Sequence, residues 1–168
     1  IKQLLHKLGK QMSKGQQVYW VCPLIEEAEN IPLSSSNDRF AYLKKEFSEF
    51  KVGLIHGQMS SEDKECELKK YKDREVDILV STTVIEVGID NPNATVIVIE
   101  NANRFGLSQL HQLRGRVGRG SEKSYCFLMY DGNLSDQAIQ RLKTMRETQD
   151  GFEIAERDMA LRGSGDLL

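Results

Sequence analysis

The chain has 168 residues, 39% of them hydrophobic, and a formal net charge of −2. That length allows one domain with a substantial core plus a small appendage, and the charge excludes a bulk basic field that would attract nucleic acid. Its three cysteines are widely spaced and include no Cys-x-x-Cys pair, which argues against a disulfide framework or a zinc site. We expect reduced cysteines packed in the core of an intracellular protein.

Apolar periodicity predicts the first elements in chain order. An amphipathic helix is predicted over residues 1–12, followed by short β-branched and aromatic runs separated mostly by helical patterns. Nearly continuous apolar runs are typical of strands buried on both faces, so we predict an α/β fold with a parallel sheet. The predicted strands are 18–22, 52–56, 77–81, 95–100 and 124–130, and the predicted intervening helices are 39–49, 62–73 and 109–116.

Two stretches depart from this alternation. Residues 23–38 predict one long irregular loop, because Pro32, three successive serines and several acids occur there. After Tyr130, two helical segments are predicted at 136–148 and 152–162, with a break at Asp150-Gly151. We therefore predict an α/β domain over 1–131 and a helical hairpin over 132–168.

The ends of the chain and its hydropathy suggest its origin. The sequence has no initiator Met, no signal-peptide pattern and no apolar run as long as a transmembrane helix. We expect a piece of a longer cytoplasmic protein that does not contact a membrane.

A first candidate loop is His56-Gly57-Gln58-Met59-Ser60, which follows a predicted strand. Ligands of parallel sheets bind beyond the carboxyl ends of the strands, and Gly57 would let the backbone approach a ligand closely. Ser60 with Asp63 matches a capping box, so the next helix would begin here and offer an anion site. Taken alone, a plain capped turn is the favoured interpretation.

A second candidate loop covers residues 81–92. It offers the hydroxyls of Thr82 and its neighbours together with Gly88 and Asp90. Hydroxyls can hold a phosphodiester, and a carboxylate can hold ribose hydroxyls. In isolation, an ordinary turn at Asn91-Pro92 would be favoured.

The third candidate is an arginine-rich segment. Residues 101–121 contain four arginines and no carboxylate. On a continuous helix, Gln112, Arg116 and Arg119 would share one stripe, whereas Arg114 would point elsewhere. Guanidinium groups match phosphate oxygens, so this stripe predicts arginine fingers at a nucleoside triphosphate. The alternative is a solvated basic helix end. A separate stripe facing a core is predicted for Leu110, Leu113 and Val117.

The three loops in this order resemble the second RecA-like domain of superfamily 2 helicases, and residues 112–119 match Gln-x-x-Gly-Arg-x-Gly-Arg, the sixth helicase motif. The resemblance implies a RecA-like, P-loop NTPase-type parallel sheet flanked by helices. It also implies site roles: contact with a DNA strand for His56, Gly57 and Thr82, contact with the nucleotide for Gly88 and Asp90, and catalysis at the γ-phosphate for Gln112, Arg116 and Arg119.

Residues 21–27, 86–90, 104–110 and 151–158 narrow the resemblance to the RecG family of bacterial helicases. That family implies ATP-dependent remodelling of branched DNA, such as replication forks and Holliday junctions, in recombination and repair by a monomer that carries an upstream wedge domain. The hairpin is similar to the family's translocation motif, which implies coupling roles for Arg141 and Arg162.

Motifs that a complete motor needs are missing from this sequence. It contains neither Gly-x-x-x-x-Gly-Lys-Ser/Thr nor an Asp followed directly by Glu. These motifs cradle phosphates and hold Mg²⁺. We expect ATP with Mg²⁺ to be bound mainly by a first RecA-like domain of the parent chain, and this chain alone to lack ATPase activity.

Alternative interpretations remain open. The whole chain could come from a transcription-repair coupling translocase or from a non-catalytic nucleic-acid-binding or docking module. Arg104 could pair with an acid, and His6 and His111, which lack partners at metal spacing, favour surface or packing roles. The apolar residues of the hairpin are most simply core residues; they are Leu142, Met145, Ile154 and Met159.

Overall fold

The computed structural model describes residues 2–22, 32–57, 59–82, 93–117, 124–130 and 134–147, with side chains described except at 32–37. Helices and strands alternate along most of these residues, as predicted. The strands are β1 (Gln17–Cys22), β2 (Val52–Ile55), β3 (Ile78–Thr82), β4 (Ala94–Ile99) and β5 (Tyr125–Leu128). The helices are α1 (Lys2–Ser13), α2 (Pro32–Glu46), α3 (Ser61–Lys72), α4 (Leu107–Arg114) and α5 (Asp136–Glu147), with a 3-10 turn at Ala102–Arg104.

The five described strands form one sheet in the order β2-β3-β1-β4-β5, and every pairing is parallel. All residues of β1, β3 and β4 are buried, whereas β5 is half-buried along its length. Strands covered on both faces need continuous apolar sequence, which is why these runs were recognisable. The five predicted strands and the parallel sheet are confirmed, with small differences at the strand ends.

The two faces of the sheet are covered by different helices. Trp20 of β1 packs in a cluster with residues of α1 and α2, among which Leu8 and Leu43 have no exposed surface. Tyr19, its neighbour in sequence, points to the opposite face, where residues of α3 and α4 such as Leu110 pack. Full burial of an aliphatic side chain of this size contributes about 1.5–3 kcal/mol, so both faces stabilise the sheet.

The prediction for residues 23–38 is wrong over its second half, because α2 begins at Pro32. Proline is favoured in the first turn of a helix, where its missing N–H costs nothing and its fixed φ suits the helix. Pro32 and the serines after it therefore begin a helix and do not belong to a loop. The helix predicted over 39–49 is thus real but begins earlier, and residues 23–31 lie outside the described part.

The first helix of the predicted hairpin is confirmed as α5, although the second, 152–162, lies outside the described residues. The Ser135 hydroxyl accepts a hydrogen bond from the Ala138 N–H at 3.1 Å and so fixes the start of α5. Met145 joins the core cluster on the α3 and α4 face, and Leu142 packs against it. The boundary between 131 and 132 stays a prediction. In the part of the chain that the structure describes, no helix is long and apolar enough to span a membrane.

The cysteine prediction is correct for one residue and wrong for another. Cys22 is buried and free, and Cys126 is half-buried, whereas Cys66 is exposed on α3. Burial raises the pKa of the Cys22 thiol, and it raises that of Cys126 to about 11. Both thiols therefore stay protonated at neutral pH.

Candidate functional site

The parallel register brings two predicted DNA-binding residues together at the carboxyl edge of the sheet. Ile55 pairs with Ser81, so His56 follows directly beside Thr82, and Thr82 in turn pairs with Cys22 of the central strand. His56 is half-buried, Gly57 is exposed and Thr82 is 1% exposed. The sheet therefore places these three residues at one edge, as the loop positions predicted.

The loop after β2 is a capped turn. The Met59 N–H donates to the His56 carbonyl at 3.2 Å, and the His56 N–H donates to the Met59 sulfur at 3.4 Å. Ser60 caps α3 by accepting the Asp63 N–H at 3.1 Å, which confirms the predicted cap. Glu62 and Asp63 in the first turn already complement the helix dipole. A plain capped turn thus accounts for the fold here, and a DNA contact by His56 stays a prediction.

Only the start of the second candidate loop is described. The Thr82 hydroxyl has no hydrogen-bond partner among the described residues. A buried hydroxyl that makes no hydrogen bond costs about 1–3 kcal/mol, so a partner at this strand end would stabilise the site. Gly88 and Asp90 lie outside the described residues, and their nucleotide contacts stay predictions.

The arginine segment is less helical than its sequence predicts. The Gln109 side chain accepts the Gly106 N–H at 3.0 Å where α4 begins, and the helix ends at Arg114 with Gly115 as its C-cap. Glycine is a poor helix former, so the two glycines of this segment favour an early end. The helix predicted over 109–116 is therefore wrong at its end, because α4 ends at Arg114. Gln112 lies on α4 and Arg116 lies beyond it, so the two do not share one helical stripe.

Arg116 lies in the turn that follows α4. Its N–H donates to the Leu113 carbonyl at 3.0 Å, which is a tighter pattern than an α-helix. Burial raises the pKa of the Tyr19 phenol, whereas a hydrogen bond with Ser81 and the positive charge of Arg116 act against that rise. Gln112 is exposed on α4, whereas Leu110 and Val117 are buried as predicted. Arg119 lies outside the described residues.

Two other arginines connect α5 to the domain. Arg114, which is predicted to point away from the nucleotide site, donates to the Met145 carbonyl at 2.7 Å and lies 3.2 Å from the His111 ring nitrogen Nδ1. Arg141, predicted for coupling, donates to the Asn103 carbonyl at 2.9 Å. Hydrogen bonds from a charged group are among the stronger ones in proteins, so both arginines fix α5 against the turn and helix that follow β4. Arg162 lies outside the described residues.

Sequence reasoning missed a polar cluster at the carboxyl end of β4. Glu100 accepts hydrogen bonds from the Trp20 indole N–H at 3.0 Å and from Arg39 Nε at 3.1 Å. The Arg39 guanidinium also lies over the Trp20 and Tyr42 rings, 5.5 and 5.3 Å from their centroids. Burial by itself would raise the pKa of Glu100, but the hydrogen bonds from Arg39 and Trp20 outweigh it and lower that pKa. The sequence does offer one signal of this cluster, which is the carboxylate of Glu100 directly after an otherwise apolar strand.

The Glu100 cluster lies between two neighbouring strands whose following helices pack on opposite faces of the sheet. β1 leads to α2 on one face and β4 leads to α4 on the other, although β1 and β4 are neighbours. Such a switch point is where ligands of open parallel sheets bind. For metal ligands, no group of three or more His, Cys, Asp and Glu side chains occurs within the described ranges.

Comparison with known proteins shows the family to which the chain belongs. The family model of the helicase conserved C-terminal domain matches residues 1–121. The ATP-dependent DNA helicase RecG of Synechocystis is 51% identical over 99% of this chain, and that of Escherichia coli K12 is 48% identical over 94%. These alignments cover 20% and 23% of the relatives, so the chain spans about a fifth of their length.

Solved structures agree with this result. RecG bound to a three-way DNA junction is similar with a TM-score of 0.81 and 44% identity, covering 99% of this chain and 21% of that one. Yeast Dbp5 bound to RNA and ADP BeF3 has a TM-score of 0.64 at 16% identity, covering 95% of this chain and 40% of that one, which shows a shared fold alone. Since the family model covers most of the sequence, the chain belongs to the helicase conserved C-terminal domain family.

Proposed function

We propose that this chain is the second RecA-like motor domain of an ATP-dependent DNA helicase of the RecG type, which remodels branched DNA in recombination and repair. The observation that carries the proposal is the likeness, over 99% of the chain, to RecG bound to a three-way DNA junction. The partners are branched or duplex DNA and, within the parent chain, a first RecA-like domain and a wedge domain. The parent acts as a cytoplasmic monomer.

The arginine segment supplies the charge for phosphoryl transfer. Arg116 and Arg119 reach the γ-phosphate of ATP with Mg²⁺, held mainly by the first domain, and Gln112 lies at the same cleft. Gly88 and Asp90 contact the nucleotide from this domain. What supports this role is the glycine-rich turn after α4, which frees Arg116 from helical geometry, and the absence of carboxylates from residues 101–121. Guanidinium groups stabilise the charge that develops during phosphoryl transfer.

The carboxyl edge of the sheet holds the DNA strand. His56, Gly57 and Thr82 contact its phosphodiester backbone, and their adjacency across β2 and β3 supports this assignment. Gly57 brings backbone within reach of a phosphate because it has no side chain. Contacts of this type are independent of base sequence, as a translocating motor requires.

Movement of the nucleotide cleft is transmitted through α5. Arg114 lies in the arginine segment and binds α5 at Met145, so a shift of α4 displaces α5. Arg141 provides a second link to the turn after β4, and Arg162, which lies outside the described residues, is the second coupling residue of the proposal. Hydrogen-bonded elements of this kind move together more readily than elements in sliding apolar contact.

ATP hydrolysis with and without branched DNA tests the proposal. The full-length parent is expected to show DNA-stimulated turnover, whereas the 168-residue chain is expected to show none. In the parent, Arg116→Ala and Arg119→Ala each lower turnover on the order of 10³-fold or more, as expected of an arginine finger. Arg146→Ala, which removes an exposed guanidinium from α5, is the matched control and leaves turnover unchanged.

Two outcomes would overturn the proposal. Normal turnover in both finger variants would remove the arginines from catalysis. A parent that binds branched DNA but hydrolyses no ATP would instead indicate a non-catalytic docking module.

A further inference from the structure

A narrow groove runs between α1 and the edge strand β5. Its volume is about 270 Å³, and two residues of β5 form one wall, opposite side chains of α1. The lining residues are Lys7, Lys10, Gln11, Lys14, Tyr125 and Phe127.

Three ammonium groups line this groove. Lys7, Lys10 and Lys14 are exposed; Lys7 and Lys10 lie at i and i+3 on one face of α1, and Lys14 follows in the turn after the helix ends at Ser13. Over the described residues, none of the three forms a salt bridge. The whole chain has a formal net charge of −2, so the positive charge of the groove is a local feature.

Two aromatic rings form the opposite wall. Tyr125 and Phe127 alternate along β5 and point to the same face, with ring centroids 6.3 Å apart and planes inclined by 14°. Both side chains are half-buried, so part of each ring remains accessible. The Lys7 ammonium lies 5.9 Å from the Phe127 centroid, which places positive charge beside a ring surface.

The groove lies on the face of the sheet opposite α4, although Tyr125 at its end also lines a second pocket with Arg114 and Gly115. Tyr125 and Phe127 pack against the core cluster that contains Leu8 of α1, whereas Leu110 of α4 belongs to the cluster on the opposite face. The DNA contacts assigned to His56 and Thr82 lie at the carboxyl edge of other strands.

We propose that this groove binds single-stranded nucleic acid. The three lysines hold successive phosphates, and the rings of Tyr125 and Phe127 receive a base. Basic grooves with accessible aromatic rings bind single strands in this way with little sequence preference. An acidic peptide would engage the lysines and leave the ring surfaces unused. The inference goes beyond the motor function, because it adds a strand contact that neither ATP binding nor the sheet edge requires.

Fluorescence anisotropy with dye-labelled oligo(dT), titrated at several salt concentrations, tests this proposal on the 168-residue chain. The triple variant Lys7→Gln, Lys10→Gln, Lys14→Gln is expected to bind about ten-fold or more weakly. Its slope of log affinity against log salt is expected to flatten by about 2, since each phosphate contact on a single strand contributes about 0.7. The control triple Lys45→Gln, Lys69→Gln, Lys72→Gln removes the same charge from exposed positions elsewhere and keeps the wild-type slope.

A second variant tests the rings. Phe127→Leu keeps an apolar side chain in the partly buried position and is expected to weaken binding about five-fold or more through lost stacking. Thermal unfolding followed by circular dichroism checks that every variant folds. The strand contacts of the motor proposal are assigned to His56, Gly57 and Thr82, which none of these variants changes, so a loss confined to the lysine triple and Phe127→Leu is specific to the groove.

Three results would overturn the proposal. One is a loss of affinity in the lysine triple that is no larger than the loss in the control triple. Another is no binding of oligo(dT) by the wild-type chain up to about 1 mM at low salt, which is weaker than ordinary non-specific binding. The third is displacement of oligo(dT) by polyglutamate together with normal binding by Phe127→Leu, which would assign the groove to acidic chains.

Discussion

Arginines in two regions of this molecule have different partners. At the carboxyl end of β4, Arg39 is paired with Glu100 and covered by the Trp20 ring. Between α4 and α5, Arg114 and Arg141 bind backbone carbonyls. A carboxylate cancels the charge of its partner, whereas a carbonyl only satisfies its N–H groups. The first region therefore uses its arginine to neutralise a half-buried acid, whereas the second uses its arginines to hold α5 against the elements that follow β4.

Removing the acid from the first region has the largest expected effect on stability. Glu100→Gln leaves a half-buried Arg39 without its counter-charge and weakens the bonds to Trp20, at an expected cost of about 2–3 kcal/mol. Urea unfolding of the 168-residue chain measures this loss. The matched control is Glu67→Gln, which breaks the exposed pair with Lys70 and is expected to cost less than about 0.5 kcal/mol. Equal losses in the two variants would mean that Glu100 has no special role.

Removing an arginine from the second region is expected to have a smaller and more local effect. Arg114→Gln loses the charged hydrogen bond to the Met145 carbonyl, at about 1.5 kcal/mol, and loosens α5 without unfolding the sheet. Amide hydrogen exchange is expected to speed up in α5 and to stay slow in β1 and β4. Uniformly faster exchange would show that Arg114 supports the whole domain.

Lowering the pH is expected to remove the stability that Glu100 contributes to the first region. The folded-state pKa of Glu100 is lowered, so its ionised form adds stability at pH values above the unfolded pKa of about 4.3. This stability is lost as the pH falls through the lower, folded-state pKa. The difference in unfolding free energy between wild type and Glu100→Gln is therefore expected to be largest near neutral pH and to shrink below about pH 4. A difference that stays constant from pH 7 to strong acid would contradict this account.

A helix cap provides the smallest expected effect and a reference outside both regions. Ser60→Ala removes the acceptor for the Asp63 N–H and is expected to cost about 1 kcal/mol. Thermal unfolding measures it, with Ser61→Ala as the control because Ser61 follows the cap. Equal losses in the two serine variants would show that the hydroxyl of Ser60 is not the cap that matters.

The sequence predicted the sheet better than the helix ends. Strands buried on both faces leave an unbroken apolar signature, so β1, β3 and β4 were found nearly at their true bounds. The start of α2 was missed because Pro32 and serine occur both in loops and in first turns of helices. The end of α4 was missed because periodicity continues across Gly115 although the helix does not.

The candidate site divides in the same way. His56 and Thr82 were placed correctly, because residues that follow parallel strands must meet at one edge. The pair of Arg39 and Glu100 was not found, because its members lie 61 positions apart and only the folded sheet brings them together. The links from Arg114 and Arg141 to backbone carbonyls leave no side-chain pattern in the sequence at all.

The central claim, that the acid-free segment keeps its positive charge for a phosphate, is tested most directly by adding a carboxylate to it. Gln112→Glu in the full-length parent places an acid on exposed helix surface four residues before Arg116. We predict slower DNA-stimulated ATP hydrolysis than in Gln112→Ala, by about ten-fold or more, since the added charge opposes arginine-assisted phosphoryl transfer. Gln137→Glu on α5 adds the same charge elsewhere and is expected to leave turnover unchanged. Equal turnover in Gln112→Glu and Gln112→Ala would contradict the claim.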